Sequence, residues 1–103
     1  MSKTLFSDVR IFDGTGVAPV AGQVLVEGDS IAAVLLPDDT VSDANLRRIE
    51  GKGRFLMPGM VEGHCHPSFV GISTNAELGR IAPEPHTLRT AANVKLLLDH
   101  GFT

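Results

Sequence analysis

The dipeptide Pro58-Gly59 divides this chain into two stretches with different hydrophobic patterns. Before it, short apolar runs alternate with turn residues such as Gly28-Asp29, a pattern typical of β-hairpins. After it, one apolar segment is followed by a loop and then by helical periodicity. Strand, loop and helix in that order make one unit of a βαβ fold. We therefore predict a β-rich region at residues 1–58 and a strand-loop-helix region at residues 59–103.

The first region is predicted to contain several short strands. They are expected at residues 4–12, 23–27, 30–36, 46–50 and 54–57. The Gly51-Lys52-Gly53 stretch between the last two is expected to form a turn, because it lacks the third glycine of a dinucleotide-binding loop. Many short strands with tight turns favour a sandwich or a small barrel.

The second region is predicted to contain one strand and two helices. Residues 60–66 are typical of a mostly buried strand, and residues 82–85 of a rigid connector. Thr74 and Glu77 have the spacing of a capping box, which predicts a short helix from Thr74 toward Arg80. The last helix is predicted over residues 86–100, with an apolar face formed by Leu88, Ala91, Val94, Leu97 and Leu98. Gly101 stands where a left-handed residue commonly ends a helix.

Residues 57–67, with the sequence MPGMVEGHCHP, contain a His-x-His pair at the end of the predicted strand. Because side chains alternate along a strand, His64 and His66 should point the same way with Cα atoms about 7 Å apart. Two imidazoles so placed can share one metal ion at about 2.1 Å from each nitrogen. Neutral imidazole suits zinc, cobalt, nickel, iron or copper better than magnesium or calcium. Cys65 should face the other way and pack in the core.

The composition excludes several classes of protein. A chain of 103 residues with 43% hydrophobic side chains fits one packed domain better than a disordered segment. The net charge of −3 is scattered, so nothing indicates binding to nucleic acid or to an anionic membrane. The apolar runs are too short to span a bilayer, and the N-terminus lacks a signal-peptide core. A single cysteine excludes an internal disulfide, and we expect a cytoplasmic protein.

The stretch GKGRFLMPGMVEGHCH, at residues 51–66, resembles the first barrel strand of the metal-dependent amidohydrolase superfamily. That family pattern has a cluster of small residues, then Pro-Gly, an apolar pair, usually Asp, any residue, and His-x-His. Residues 24–34 are similar to the family's N-terminal β-hairpin, and residues 88–103 to its first barrel helix and the start of its second strand. The resemblance covers nearly the whole chain. It points to the imidazolonepropionase-like and Xaa-Pro dipeptidase-like branch, with phenylurea or thiocarbamate hydrolases as an alternative.

The resemblance implies an α/β fold with a β-rich N-terminus. The expected architecture is part of a small β-sandwich plus the first βα unit of a (β/α)₈ TIM barrel, so we expect the N-terminal part of a larger oligomeric protein. The resemblance also implies that His64 and His66 are metal ligands. Zinc is the expected metal, with cobalt, manganese, nickel or iron as alternatives. Glu62 stands where the family often has Asp and is expected to be a supporting residue.

The function that the resemblance implies is hydrolysis of a C–N bond in an amide, urea, carbamate or cyclic amide by a metal-activated water. The family's other ligands, a lysine, two histidines and an aspartate, have no counterpart in this segment, and no catalytic residue is assigned to it. The expected partners are the remainder of the hydrolase barrel, in the same or a separate chain, a small-molecule substrate, and further copies in a homo-oligomer. Ser68 and Phe69 are the candidates for substrate binding, since they follow the ligands where barrel active sites form; ordinary loop packing is the alternative.

Three other interpretations stay open at this stage. The chain could be a complete small all-β domain covered by its C-terminal helix. It could be a non-catalytic fragment or structural homologue that cannot complete a metal site alone. It could also be a structural zinc module, although two histidines and one opposed cysteine fall short of the usual four ligands. His86 and His100 lack ligand spacing, and His100 suits the C-terminal end of a helix.

Overall fold

The computed structural model describes residues 2–103 and divides the chain into two units, Met1–Pro58 and Gly59–Thr103. The first unit contains the strands β1 (Lys3–Ile11), β2 (Val20–Glu27), β3 (Ser30–Leu35) and β4 (Leu46–Leu56). The second contains a 3₁₀ turn (Pro67–Phe69) and the helices α1 (Asn75–Leu78) and α2 (Pro83–Asp99). The predicted α/β fold class with a β-rich N-terminus is confirmed. Over residues 2–103, the helices are too short or too polar to cross a membrane.

The four strands form one mixed sheet in the order β3-β2-β1-β4. Strand β2 pairs antiparallel with both β1 and β3, whereas β4 runs parallel to β1. The β2–β3 hairpin turns at Gly28, where φ is 65° and a glycine is favoured. The sheet is a single layer, and the sandwich that the family resemblance implies stays a prediction.

Strand β4 is longer than predicted, because the residues expected to form a turn lie within it. The two strands predicted on either side of Gly51-Lys52-Gly53 join into one strand of 11 residues. The backbone has φ of 53° at Lys52 and 72° at Gly53, opposite an irregularity in β1 where Asp8 has φ of 50°. A bulge interrupts a ladder without ending the strand. The glycines therefore mark a bulge here, and the predicted turn is wrong.

The sheet has a small core with one buried polar residue beside it. Leu5 is fully buried, and Val9 and Val24 are each 5% exposed. Gln23 is also 5% exposed, and its amide nitrogen faces three backbone carbonyl oxygens. These belong to residues that follow β3, namely Leu36 (3.1 Å), Pro37 (2.9 Å) and Asp39 (2.8 Å). The hydrogen bonds hold the chain where β3 ends.

The strand predicted at residues 60–66 is not formed, which corrects the strand-loop-helix description of residues 59–103. Met60 makes a parallel bridge with Phe102, in which Met60 N donates to the Gly101 carbonyl at 2.7 Å and Thr103 N donates to the Met60 carbonyl at 3.0 Å. Residues 61–66 are exposed and have no strand assignment. A buried strand needs neighbours for its N–H and C=O groups. Within residues 2–103, this segment has that single bridge.

Helix α1 begins as its capping box predicts and ends earlier than expected. Thr74 Oγ1 accepts from the Glu77 backbone N–H at 3.2 Å, while the Glu77 carboxylate accepts from Ser73 N at 2.8 Å. The reciprocal bond of a capping box normally reaches the N-cap residue itself. Here it reaches one residue further back. The helix ends at Leu78 instead of continuing toward Arg80.

Helix α2 begins at Pro83, so the predicted connector at residues 82–85 is wrong over most of its length. Both prolines of that stretch lie in the first turn, where backbone N–H groups have no helical partner and proline is tolerated. The helix is followed by Gly101 with φ of 88°, as predicted. Its predicted apolar face is present but exposed, with Leu88 at 74% and Leu98 at 59%.

Candidate metal centre

His64 and His66 converge in a segment without regular secondary structure. Their Nε2 atoms lie 2.8 Å apart, and their ring centroids are 4.7 Å apart at an interplanar angle of 66°. Both side chains are exposed. The structure therefore brings together the two residues predicted as metal ligands, although the strand expected to carry them is not formed.

At this separation, the two imidazole nitrogens can share either a proton or a cation. When both rings are neutral, one Nε2–H donates to the lone pair of the other ring. A transition metal binds imidazole nitrogen at about 2.1 Å. Since the 2.8 Å between the nitrogens is less than twice that distance, both can reach one ion from the same side. The pair fits a metal of the class that imidazole prefers.

Two imidazoles make an incomplete ligand set. Within residues 2–103, no group of three or more His, Cys, Asp or Glu side chains is placed to hold a metal ion. A structural zinc site needs about four protein ligands, and a catalytic site about three. The interpretation as a self-contained zinc module therefore finds no support in the part of the chain that the structure describes.

Glu62 braces the segment that carries the histidines. Its Oε1 accepts from the His64 backbone N–H at 3.1 Å. A side-chain hydrogen bond to the backbone N–H two residues later is usually made by Asp or Asn. Here the longer side chain of Glu62 makes it. Although the family often has Asp here, Glu62 still provides an acceptor for the His64 backbone N–H, which fits a supporting role.

The 3₁₀ turn Pro67–Phe69 continues directly from His66. The Phe69 N–H donates to the His66 carbonyl at 3.0 Å, and the Phe69 ring lies 5.1 Å from the His66 ring. Ser68 and Phe69, the candidates for substrate binding, are both half-buried. Phe69 packs against a predicted ligand, and the Ser68 carbonyl faces α2. Contact of either side chain with a substrate stays a prediction.

Two polar residues of α2, Asn93 and His86, contact this turn and were missed from the sequence. Asn93 Nδ2 donates to the Pro67 carbonyl at 2.5 Å, and His86 Nε2 lies 3.2 Å from the Ser68 carbonyl. The two residues are seven positions apart, which is two helical turns, so they share one face of α2. Two polar side chains at that spacing, close to the apolar face of the helix, are the sequence signal that could have indicated a polar contact with another segment.

Cys65 is exposed, so its predicted core packing is wrong. That prediction assumed a strand with both faces covered, and the strand is absent. His100 caps the C-terminus of α2, where its Nδ1 lies 2.7 Å from the Leu96 carbonyl. This position agrees with the predicted helix end and keeps His100 outside the histidine pair.

Sequence comparison finds relatives of known name for most of the chain. It is 38% identical over 100 residues to a 5-methylthioadenosine/S-adenosylhomocysteine deaminase of Symbiobacterium thermophilum, covering 89% of this chain and 23% of the relative. It is 36% identical over 77 residues to an imidazolonepropionase of Stenotrophomonas maltophilia, covering 70% of this chain and 18% of the relative. The chain thus spans about a fifth of the length of these relatives. No protein-family profile matches it.

Structure comparison finds a similar fold within larger proteins. A crystal structure named as an amidohydrolase superposes with a TM-score of 0.80 and 25% identity, covering 98% of this chain and 24% of that one. A molinate hydrolase superposes with a TM-score of 0.79 and 23% identity, covering 99% of this chain and 23% of that one. The second likeness is one of fold alone.

Proposed function

We propose, because this chain belongs to the amidohydrolase superfamily, that it supplies two metal ligands to a hydrolase that cleaves C–N bonds. His64 and His66 would hold the metal. The observation that carries the proposal is the approach of their Nε2 atoms to 2.8 Å on a segment braced by Glu62. A hydrogen bond between two neutral rings gives the same separation, so the proposal rests on this geometry together with the family membership.

The metal would be a divalent transition ion, with zinc preferred and cobalt, manganese, nickel or iron as alternatives. When bound, such an ion lowers the pKa of water and polarises a carbonyl group. The chain's own contribution is to present two neutral nitrogen lone pairs and to hold their backbone in place. Glu62 does this before His64, and the 3₁₀ turn does it after His66.

The rest of the centre would come from the remainder of a (β/α)₈ barrel, which is the proposed partner of residues 59–103. The alignments to proteins about four times as long support this. We propose that the chain by itself is inactive, since two ligands without a general base cannot complete the reaction. In the alternative, the chain is a non-catalytic fragment or structural homologue that cannot complete a metal site alone.

The substrate would be a small molecule with an amide, urea, carbamate or cyclic amide group. The names of the relatives, which include a deaminase and an amidohydrolase, support hydrolysis of a C–N bond, and the choice among these groups is part of the proposal. Ser68 and Phe69 are the proposed substrate neighbours on this chain, because they directly follow the ligands. The side chains that select one substrate would lie on other loops of the barrel.

The decisive experiment replaces both ligands in the native polypeptide that carries this chain. His64→Ala with His66→Ala should remove bound metal and hydrolytic activity together, as measured by elemental analysis and turnover of amide and urea substrates. His100→Ala is the matched control, because it removes an exposed histidine bonded to the Leu96 carbonyl. Stoichiometric metal in the double variant would overturn the ligand assignment. Absence of both bound metal and C–N turnover in the wild-type polypeptide would favour the non-catalytic alternative.

A further inference from the structure

The segment that carries the histidines is fixed to the rest of its unit at each end. Before it, Met60 bridges to Phe102 through two backbone hydrogen bonds. After it, the carbonyl groups of Pro67 and Ser68 meet side chains of α2. Between these points, residues 61–66 have no strand or helix to order them. The geometry of the histidine pair therefore depends on the two ends.

The second of these attachments is made by side chains from a single rigid element. Asn93 Nδ2 donates to the Pro67 carbonyl at 2.5 Å. His86 Nε2 lies 3.2 Å from the Ser68 carbonyl, and because a carbonyl oxygen only accepts, this nitrogen carries the proton. Both side chains are half-buried, and both project from a helix of 17 residues. The two side chains lie two helical turns apart and donate to the carbonyl groups of two consecutive residues.

The carbonyl groups that they bind are coupled closely to His66. Pro67 follows it directly, and the 3₁₀ turn closes when the Phe69 N–H donates to the His66 carbonyl at 3.0 Å. The Phe69 ring also packs 5.1 Å from the His66 ring. A displacement of this turn would shift both the backbone and the ring face of His66.

We propose that Asn93 and His86 are positioning residues, which hold His66 at the distance from His64 that a shared metal requires. They act through the backbone carbonyls of Pro67 and Ser68 and touch neither the metal nor the substrate. The inference rests on the proposed function, since it assigns these residues to the same metal centre.

The expected effect is a weaker metal site without loss of the ligands. In the wild type, this backbone is ordered before the metal binds. In a variant that lacks one attachment, metal binding must also order the backbone, and the cost of ordering one residue weakens binding about tenfold. Asn93→Leu keeps side-chain size and does not lower helix propensity, while it removes the donor. We expect this variant to bind Co²⁺ about tenfold more weakly than the wild type.

The test measures Co²⁺ affinity by competition with a chromophoric chelator in the native polypeptide, together with the Co²⁺ absorption spectrum and the urea midpoint of the metal-free protein. Thr87→Val is the matched control, since it removes the hydrogen bond from Thr87 Oγ1 to the Pro83 carbonyl on the same helix. A second pair of variants addresses His86. His86→Leu removes its donor and should weaken binding, whereas His86→Gln restores a donor and should recover affinity.

The outcomes separate this inference from the proposed function. Weaker Co²⁺ binding in Asn93→Leu and His86→Leu, recovery in His86→Gln and wild-type affinity in Thr87→Val support the positioning role. A lower urea midpoint with unchanged Co²⁺ affinity and spectrum would show a structural role only and overturn it. If Asn93→Leu does not fold, the two His86 variants decide by the same criteria. Unaltered Co²⁺ binding after loss of both His64 and His66 would instead overturn the proposed function.

Discussion

The turn at residues 36–39 closes locally, since the Asp39 N–H donates to the Leu36 carbonyl at 3.2 Å and the Asp39 carboxylate accepts from the Leu36 N–H at 2.8 Å. Gln23 shows how one side chain can support such a turn from a distant point in the sequence. Its amide nitrogen has two hydrogens and lies near three carbonyl oxygens, so the donors are shared among residues that follow β3. The sequence places Gln23 at the start of a predicted strand, and nothing in the periodicity distinguishes it from an exposed polar residue. Its role depends on contacts 13 to 16 residues away, which local patterns do not encode.

Replacing Gln23 by Leu should destabilise the sheet. The three carbonyls would lose a buried donor, and a typical intramolecular hydrogen bond contributes about 0.5–1.5 kcal/mol. Urea unfolding followed by circular dichroism measures this loss. The control is Ser30→Ala, which removes the exposed hydrogen bond from Ser30 Oγ to Asp29 and should change stability by less than about 0.5 kcal/mol. Equal midpoints for the two variants would contradict the role of Gln23.

Gly51 marks the closest approach between β1 and β4. A Cβ atom at this position would lie 2.4 Å from Val9 Cγ1 and 2.8 Å from the Asp8 carbonyl oxygen. Because a backbone oxygen cannot rotate away, Gly51→Ala should cost about 1–3 kcal/mol. Gly79→Ala is the control, since its nearest neighbour would be 3.7 Å away. Wild-type stability of Gly51→Ala in urea would show that β1 and β4 can move apart freely.

The ion pair between Lys3 and Asp43 gives the sheet a dependence on pH. The two side chains lie 3.0 Å apart. The backbone N–H of Asn45 and then Lys3 lower the pKa of Asp43 below its ordinary 3.8. A lowered pKa means that the stabilisation is complete above the ordinary value and is lost as the pH falls through the lowered one.

Asp43→Asn should therefore be less stable than the wild type at pH 7, with the difference disappearing well below pH 3.8. The effect is small because both groups are partly exposed and screened by solvent. Urea titrations at a series of pH values measure it. A difference that is independent of pH would show that the carboxylate charge plays no part.

At the scale of the elements, the sequence predicts the strands of the first unit well and fails where pairing partners decide the outcome. The hairpin β2–β3 follows from alternation and from Gly28. The segment at residues 60–66 has the apolar character of a strand, yet a strand also requires neighbouring chains for its backbone groups. Hydrophobic periodicity identifies the residues of an apolar face, but it does not identify the element that packs against that face.

The bridge between Met60 and Phe102 can be tested at Gly59. A Cβ atom there would lie 2.4 Å from Thr103 Oγ1. Gly59→Ala should therefore open the bridge and remove hydrogen-exchange protection from the amides of Met60 and Thr103. Gly63→Ala is the control, because nothing lies within 4 Å of its added Cβ atom. Unchanged protection in Gly59→Ala would show that the Thr103 side chain rotates aside at no cost.

At the scale of the whole molecule, each unit leaves apolar surface uncovered. On the sheet, an apolar depression of about 310 Å³ is lined by residues that include Phe6, Val24 and Val34. On α2, Leu88, Leu96 and Leu98 are 74%, 55% and 59% exposed. Exposed apolar patches of this kind mark interaction surfaces or promote association. The apolar face of α2 follows from helical periodicity, whereas its exposure does not, since periodicity gives no information about neighbouring elements.

Residues 1–103 expressed alone should self-associate at micromolar concentrations. Leu88→Glu with Leu98→Glu should reduce that association, because charges on the exposed face oppose burial. Analytical ultracentrifugation measures the change. Glu84→Gln is a control, since it alters charge near the start of the same helix without adding any to its apolar face. A stable monomer with a well-dispersed NMR spectrum for the unmodified chain would contradict the prediction.

The hydrogen bonds from α2 to the carbonyls of Pro67 and Ser68 also bear on how such a protein can diverge. Asn93 and His86 recognise main-chain oxygen atoms, which every amino acid provides. Side chains in the loop beyond the ligands can therefore be exchanged while the support of His66 is kept. In an enzyme, this separation would let mutation alter substrate preference at Ser68 and its neighbours while the metal ligands keep their geometry. The hydrogen bonds of this anchor therefore do not depend on the side chains of the loop.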